Sequence, residues 1–172
     1  MSTITKSQQK AIRDLVKTMH IPTGLGTEEE ACSLACINLA LTGELTARIP
    51  DCMSEVIGQW IIGVQDRMPD DLRNSAEWKR LLPLAAGTGR DHEPERFRLL
   101  MVWMNDTVLV SVQPVADAGG YGTEWRAMTD AGSKATAADA ADAAGAADAA
   151  ERAQAWIDFA PCKILAELIA VG

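Results

Sequence analysis

The sequence predicts an all-α protein, a single compact domain of six to eight helices, with a long Ala-rich helix at about 135–157. Three observations support this fold class. The segment 135–157 is dominated by alanine, the strongest helix former. Apolar residues recur at helical spacing in 5–20 and again in 52–68. The length of 172 residues suits one domain with a real core.

The Ala-rich segment has an unusual charge pattern. Of its first 21 positions, 13 are alanine. Its acidic residues fall on steps of three (Asp139, Asp142, Asp148 and Glu151), with Gly145 filling the gap. Because three residues turn a helix by about 300°, these carboxylates wind around the helix. We expect a central or partner-facing helix, or alternatively a solvated helix of low-complexity sequence.

Capping residues and breakers divide the rest of the chain into further helices. Thr5 or Ser7 is expected to cap the first helix. Thr27 is expected to cap the second, with Glu30 at its capping-box position, and Asp51 is expected to cap the third. Asn74-Ser75 is expected to cap a shorter helix. The apolar run 99–104 predicts a buried helix, although 107–112 is β-branched enough to form a strand instead. The helix 161–172 closes the chain.

An asparagine and two glycines within these helices allow predictions about their packing. Asn38 is the lone polar residue in an apolar helix, so we expect it to be buried and to bind neighbouring backbone groups. Gly58 and Gly63 would weaken an isolated helix, and we expect them to mark the close approach of another backbone. The Ala-rich helix is the natural candidate for that neighbour.

Charge and cysteine content exclude several classes of protein. The 16 Lys and Arg residues against 24 Asp and Glu give a formal net charge of −8, which argues against non-specific nucleic-acid binding. The four cysteines do not have metal-ligand spacing relative to the two histidines, so neither a zinc site nor a cofactor is expected. The polar start and the lack of a long apolar run predict no membrane segment and a cytoplasmic location with reduced thiols.

The loop 87–96 is the best candidate for a ligand site. Glycine-rich loops before helices bind anions through backbone amides, and this one is followed by several cations. We expect Thr88, Gly89, Arg90, His92 and Arg96 to bind a small anionic ligand there, with Trp125 as a stacking side chain. The alternative is an ordinary loop between helices, in which arginines pair with Asp91, Glu93 and Glu95, and a tryptophan that packs between helices.

A cysteine nucleophile is a further alternative. Cys32 lies in the first turns of a predicted helix, where the pKa of a thiol falls, and His92 would be its base. Catalysis requires Cys32 to be exposed, whereas a buried cysteine on an apolar face is usually inert.

The segments PTGLGT, NLALTGELT, IPDCM and LPLAAGTGR, followed by an Ala-rich stretch and a closing PCKILAELIAVG, resemble an uncharacterised family of small phage and prophage proteins. The resemblance covers nearly the whole chain. It implies a phage or bacterial origin and an all-helical domain, and it carries no functional residue.

These observations lead to three functional hypotheses. The first is a non-enzymatic phage-type binding protein, a homo-oligomer that sequesters a nucleotide-like anion as a counter-defence protein. The second is an inhibitor that binds a host protein through an acidic surface. The third is a cysteine-dependent hydrolase built on Cys32 and His92.

Overall fold

The all-α fold is confirmed by a computed structural model, which describes residues 4–120, 122–131 and 155–172. This part of the chain contains no β-strand, only two isolated β-bridges. The predicted Ala-rich helix lies outside the described residues except for 155–157, which are helical. The helices are α1 (Lys6–Thr18), α2 (Ser33–Thr42), α3 (Glu55–Gln65), α4 (Asp70–Arg73), α5 (Ala76–Ala85), α6 (Glu93–Trp103), α7 (Leu109–Ser111), α8 (Gln113–Ala118), α9 (Gly122–Ala131), a segment at 155–159, and α10 (Pro161–Ala170).

The chain divides into two compact units. Unit 1 contains Met1–Phe97 and Cys162–Gly172, and unit 2 contains Arg98–Pro161. The expectation of a single domain stays a prediction. None of the described helices is both long enough and apolar enough to cross a membrane.

In unit 1, α1 packs against α2 and α5. Thr5 caps α1 as expected, and it forms a reciprocal capping box with Gln8. Ile12 and Val16 lie on the apolar stripe of α1 and are fully buried. Ser75 caps α5, also as expected, through a hydrogen bond from the amide of Trp78.

Two predicted helix starts were wrong. Helix α2 begins at Ser33 with Cys32 as its N-cap, because Thr27 caps a local turn instead: its Oγ accepts hydrogen bonds from the amides of Glu29 and Glu30. That turn forms part of a loop that pairs with His20 through a β-bridge. Helix α3 begins at Glu55 with Ser54 as its N-cap, so Asp51 lies outside the helix.

The two glycines of α3 have different surroundings among the described residues, and the contact expected with the Ala-rich helix lies outside them. A Cβ on Gly58 would lie 2.6 Å from side-chain carbons of Ile49, so a packed side chain explains this glycine. A Cβ on Gly63 would meet no described residue within 4 Å. Gly58 therefore permits close packing against Ile49, whereas the described part of the chain gives Gly63 no such neighbour.

Asn38 behaves as expected. It is buried, and its Nδ2 donates to the carbonyl oxygens of Leu34 at 3.1 Å, Thr46 at 2.8 Å and Arg48 at 2.8 Å. The last two carbonyls belong to the segment without regular secondary structure that follows α2. One amide group therefore holds that segment against the helix.

A buried arginine has a similar role at the C-terminus of α3. Arg73, only 4% exposed, donates to the carbonyls of Ile21 at 2.8 Å, Gln65 at 3.0 Å and Met68 at 2.7 Å. Gln65 and Met68 lie at and beyond the C-terminus of α3, where carbonyls have no partner within the helix. Arg73 thus joins this helix end to the chain after α1.

Unit 2 has a small core formed by Leu109, Val112, Ala116, Trp125 and Phe159. The stretch 107–111 is helical and residue 112 is a turn between α7 and α8, which confirms the preferred prediction of a helix over a strand. It includes part of a π-helical turn, Met104–Val108, that connects α6 to α7. The expectation that 99–104 is buried was wrong: none of these six residues is buried, and Val102 is 50% exposed.

The Asn38 contacts lead to a stability prediction. Asn38→Ala leaves the carbonyls of Thr46 and Arg48 without this donor, so we expect it to lower the free energy of unfolding by about 2 kcal/mol. Asn38→Asp is nearly isosteric but places a carboxylate against those carbonyls, and we expect a larger loss. Urea denaturation measures both, with the exposed Lys17→Ala as a control that shifts stability by less than about 0.5 kcal/mol. An Asp variant as stable as wild type would refute this account.

Candidate functional site

The loop 87–93 is tightly joined to the start of α3. The amide of Gly89 donates to the carbonyl of Cys52 at 2.9 Å, and the amide of Ser54 donates to Thr88 Oγ1 at 3.0 Å. The Thr88 hydroxyl donates in turn to the carbonyl of Ala85 at 2.8 Å. Gly89 has φ +60°, a conformation that side chains disfavour, which explains a glycine here. Two of the predicted ligand residues thus form internal contacts.

A carboxylate of the chain itself, that of Glu93, lies at the N-terminus of α3. The Glu93 carboxylate accepts hydrogen bonds from Ser54 Oγ at 3.0 Å, from the amide of Glu55 at 3.1 Å and from that of Val56 at 2.9 Å. These donors at the positive end of α3 are the groups that would bind a phosphate or a carboxylate. Glu93 therefore occupies the anion position from within the chain.

Arg96 is 1% exposed, and its hydrogen bonds are to backbone carbonyls. Its guanidinium donates to the carbonyls of Leu168 at 3.1 Å and Val171 at 2.7 Å, and to those of Thr88 at 3.1 Å and Gly89 at 3.2 Å. Burial lowers the pKa of Arg96, and the nearby Glu93 carboxylate opposes that effect. The side chain joins the loop to the last turn of α10.

Arg90 and His92 lie nearer the surface. The Arg90 guanidinium is 3.2 Å from the Glu55 carboxylate and 3.8 Å from that of Asp51, and its side chain is 46% exposed. His92 is exposed, and its ring lies close to Gly172, where an added Cβ would be 2.8 Å from Cδ2. An anion that binds Arg90 must therefore compete with two carboxylates.

Trp125 belongs to the core of unit 2. It is 3% exposed, and its Nε1 donates to the carbonyl of Leu109 at 3.0 Å. Its ring packs within the core of that unit, where it has the packing role that the sequence left open as the alternative. The structure brings together Thr88, Gly89, Arg90, His92 and Arg96 around one loop, and it places Trp125 in the core of unit 2.

The cysteines lack the exposure that a nucleophile requires. Cys32 is 3% exposed and caps α2, with its Sγ accepting the amide of Ala35. Burial, and secondarily Cys32, raises the pKa of Cys36 to about 12, and burial raises that of Cys162 to about 11. All four cysteines are buried free thiols. Among the described residues, no group of three or more His, Cys, Asp or Glu side chains could hold a metal ion.

A second feature of unit 1 is a concentration of exposed carboxylates, which we call the acidic end. It draws on the loop before α2, the residue after α3, and α4. The amide of Gly24 donates to Asp66 at 3.0 Å. The backbone of His20 forms a β-bridge with that of Glu30, and its imidazole Nε2 lies 3.6 Å from the Asp70 carboxylate. All six of its carboxylate residues are exposed: Glu28, Glu29, Glu30, Asp66, Asp70 and Asp71.

The cations near the acidic end donate mainly to backbone carbonyls. Arg73 is buried, and besides the three carbonyls described above it donates to the carboxylate of Asp70 at 2.9 Å. Arg67 donates to the carbonyl of Gly63 at 3.0 Å, and Lys79 donates to that of Met19 at 2.7 Å. The sequence alone did not connect Glu28–Glu30 with Asp66 and Asp70, because their proximity depends on how the loop before α2 meets the end of α3.

Comparisons with protein families, curated proteins and solved structures found no match to this chain.

The role of Arg96 is testable by comparison with Arg90. Arg96→Ala deprives four carbonyls of a buried donor, so we expect the free energy of unfolding to fall by about 3 kcal/mol or more. Arg90→Ala removes only the surface ion pairs with Glu55 and Asp51, and we expect a change below about 1 kcal/mol. Urea denaturation of both variants makes the comparison. Equal stabilities would show that Arg96 is not a structural residue.

The buried thiols predict a loss of stability in alkali. The pKa of Cys36 is raised from 9.0 to about 12, so its thiol ionises in the unfolded chain before it ionises in the folded one. The free energy of unfolding should therefore fall as pH rises above about 9. Urea denaturation between about pH 8 and about pH 10.5 measures this slope, and Cys36→Ala should make it shallower. An unchanged slope in the variant would contradict the assignment.

Proposed function

We propose that this is a non-enzymatic binding protein whose acidic end contacts a basic surface on a protein partner. The observation that carries the proposal is the gathering of six exposed carboxylates at one end of unit 1, where Arg67 and Lys79 donate to backbone carbonyls and Arg73 pairs with one carboxylate, that of Asp70. If the resemblance to phage proteins reflects origin, the partner is a protein of the bacterial host.

The lack of internal contacts at three of the carboxylates supports contact with a partner. Within the described chain, Glu28, Glu29 and Glu30 make no hydrogen bond or ion pair through their side chains. Their charges are therefore available to a partner without the loss of an internal contact. Clustered charge of one sign speeds association with an oppositely charged surface and makes it sensitive to salt.

The same reasoning favours a protein partner over the small anionic ligand. The loop proposed for that ligand already satisfies its donors, since Arg96 binds four carbonyls and Glu93 fills the N-terminus of α3. A ligand there must displace a carboxylate of the chain itself. A partner that binds Glu28, Glu29 and Glu30 displaces no contact that their side chains make among the described residues.

A pair of matched variants tests the proposal. The triple variant Glu28→Gln, Glu29→Gln, Glu30→Gln neutralises part of the acidic end. The triple variant Glu44→Gln, Glu77→Gln, Glu95→Gln neutralises three exposed carboxylates elsewhere and changes the net charge equally. Immobilised wild type and both variants are incubated with bacterial extract, and captured proteins are quantified by mass spectrometry.

We expect the captured amount of at least one protein to be about tenfold lower or more with the first variant than with wild type, and less than about twofold lower with the second. The same protein should be released by raised salt. Equal losses with both variants would indicate non-specific charge attraction. Native mass spectrometry that shows a nucleotide-sized adduct, abolished by Arg90→Ala, would favour the small-ligand hypothesis.

A further inference from the structure

The outer face of α1 carries a row of cations, which we call the basic row. Its four members recur at intervals of four, three and four residues, and all of them are exposed: Lys6, Lys10, Arg13 and Lys17. This spacing keeps them within an arc of about 60° around the helix and along a length of about 16 Å. The opposite face of α1 buries Ile12, Val16 and Met19, and the helix packs against α2 and α5. The row therefore lies on a helix whose position is fixed by the core.

Most charges of the basic row have no partner in the described part of the chain. Lys10 forms an ion pair with Asp14, one turn further along the helix. Lys6, Arg13 and Lys17 make no hydrogen bond or ion pair through their side chains among the described residues. The pKa of Asp14 is lowered, chiefly by its hydrogen bond with Lys10 and further by the charges of Lys10, Arg13 and Lys17. This face thus has four cations against one carboxylate, in a chain whose net charge is −8.

The stability of α1 does not account for the basic row. Like charges three or four residues apart on a helix repel one another, and the row contains three such neighbouring pairs. Lys6 is the first residue of the helix, where the positive end of the helix dipole disfavours a cation. Lys17, in the last turn, is the one member of the row that the dipole favours. Because the row weakens the helix that carries it, we attribute it to the binding of an anionic partner.

The shape of the basic row limits the kind of anion that fits. A single small anion needs donors that converge on it, whereas these cations are spread over about 16 Å. A nucleic acid or an anionic membrane is charged over a longer distance and would also meet the acidic end, because α1 ends at Thr18 and the backbone of His20 pairs with that of Glu30. None of the large apolar side chains exposed in the described chain lies on α1, so the row has no apolar group to insert into a bilayer. A short anionic element of about three helical turns fits the row best.

We propose that the basic row binds a short acidic helix of a partner protein, in which Glu or Asp side chains recur at intervals of four, three and four residues. Two helices that lie side by side then place each cation opposite one carboxylate. The three unpaired cations bind without the loss of any contact that their side chains make among the described residues. This surface is separate from the acidic end, and the proposal does not depend on the function proposed for that end.

Two synthetic peptides of equal composition test the spacing. Both are alanine-based helices with four glutamates. In the one-faced peptide the glutamates recur at intervals of four, three and four residues, and in the control peptide they recur at intervals of five, which distributes them around the helix. Each peptide is titrated into the isotope-labelled full chain at low salt, and the backbone amides are followed by NMR. We expect the one-faced peptide to shift the amide signals of Lys6–Thr18 with a dissociation constant of about 1 mM or below, and the control peptide to bind at least about fivefold more weakly.

Matched variants of the protein test the residues. The row variant removes the three unpaired cations: Lys6→Gln, Arg13→Gln, Lys17→Gln. The control variant removes three exposed cations elsewhere and changes the net charge equally: Arg48→Gln, Arg80→Gln, Arg98→Gln. We expect the dissociation constant for the one-faced peptide to rise about tenfold or more with the row variant and less than about twofold with the control variant. The melting temperature of the row variant, measured by circular dichroism, should not fall, because the like-charge pairs of α1 are removed.

Three outcomes would overturn the proposal. The first is a wild-type chain whose α1 amides do not shift with about 5 mM of the one-faced peptide. The second is equal affinity for the two peptides, or equal losses with the two variants, since either result means unspecific charge attraction. The third is tighter binding through the row by a single-stranded oligonucleotide of about twelve nucleotides, or by vesicles that contain anionic lipid, titrated in the same way. That result would assign the row to a nucleic acid or to a membrane instead.

Discussion

The carbonyl groups at helix ends, which lack partners within their own helices, are the constraint on which unit 1 depends. Long side chains donate to these groups from elsewhere in the chain. Arg73 reaches the end of α3, Arg96 reaches the last turn of α10, and Lys79 reaches the carbonyl that follows α1. Each bond joins segments distant in sequence, so that satisfying the backbone also fixes how helices are arranged. A buried arginine suits this role because its five N–H groups serve several carbonyls at once.

The burial of cations at these carbonyls makes the outer surface of the protein more acidic. The chain has 16 Lys and Arg residues against 24 Asp and Glu, and some of those 16 turn toward the interior. The carboxylates cannot follow them, because a carboxylate only accepts hydrogen bonds and carbonyls offer no donor. Glu93 is an exception, because its carboxylate accepts hydrogen bonds from two amides and a hydroxyl at the start of α3. The acidity of the surface is therefore partly a consequence of folding.

The sequence was sufficient for the helical class, for the caps at Thr5 and Ser75, and for the burial of Asn38, since each depends on nearby residues or on periodicity. It was insufficient for the loop around Arg96. A glycine-rich loop followed by arginines has the same pattern whether the arginine binds a ligand oxygen or a backbone oxygen. The acceptors that distinguish these cases, at Leu168 and Val171, are more than seventy residues away. The start of α2 was misplaced because Thr27 can cap a turn as readily as a helix.

The burial of all four thiols has a practical consequence for spectroscopy. A single cysteine introduced at an exposed position would be far more reactive toward maleimides than any native thiol, because only an accessible thiolate attacks such reagents. Fluorophores or spin labels can therefore be placed at chosen surface positions without first removing the native cysteines. Those cysteines fill space in the core, and their replacement would disturb its packing.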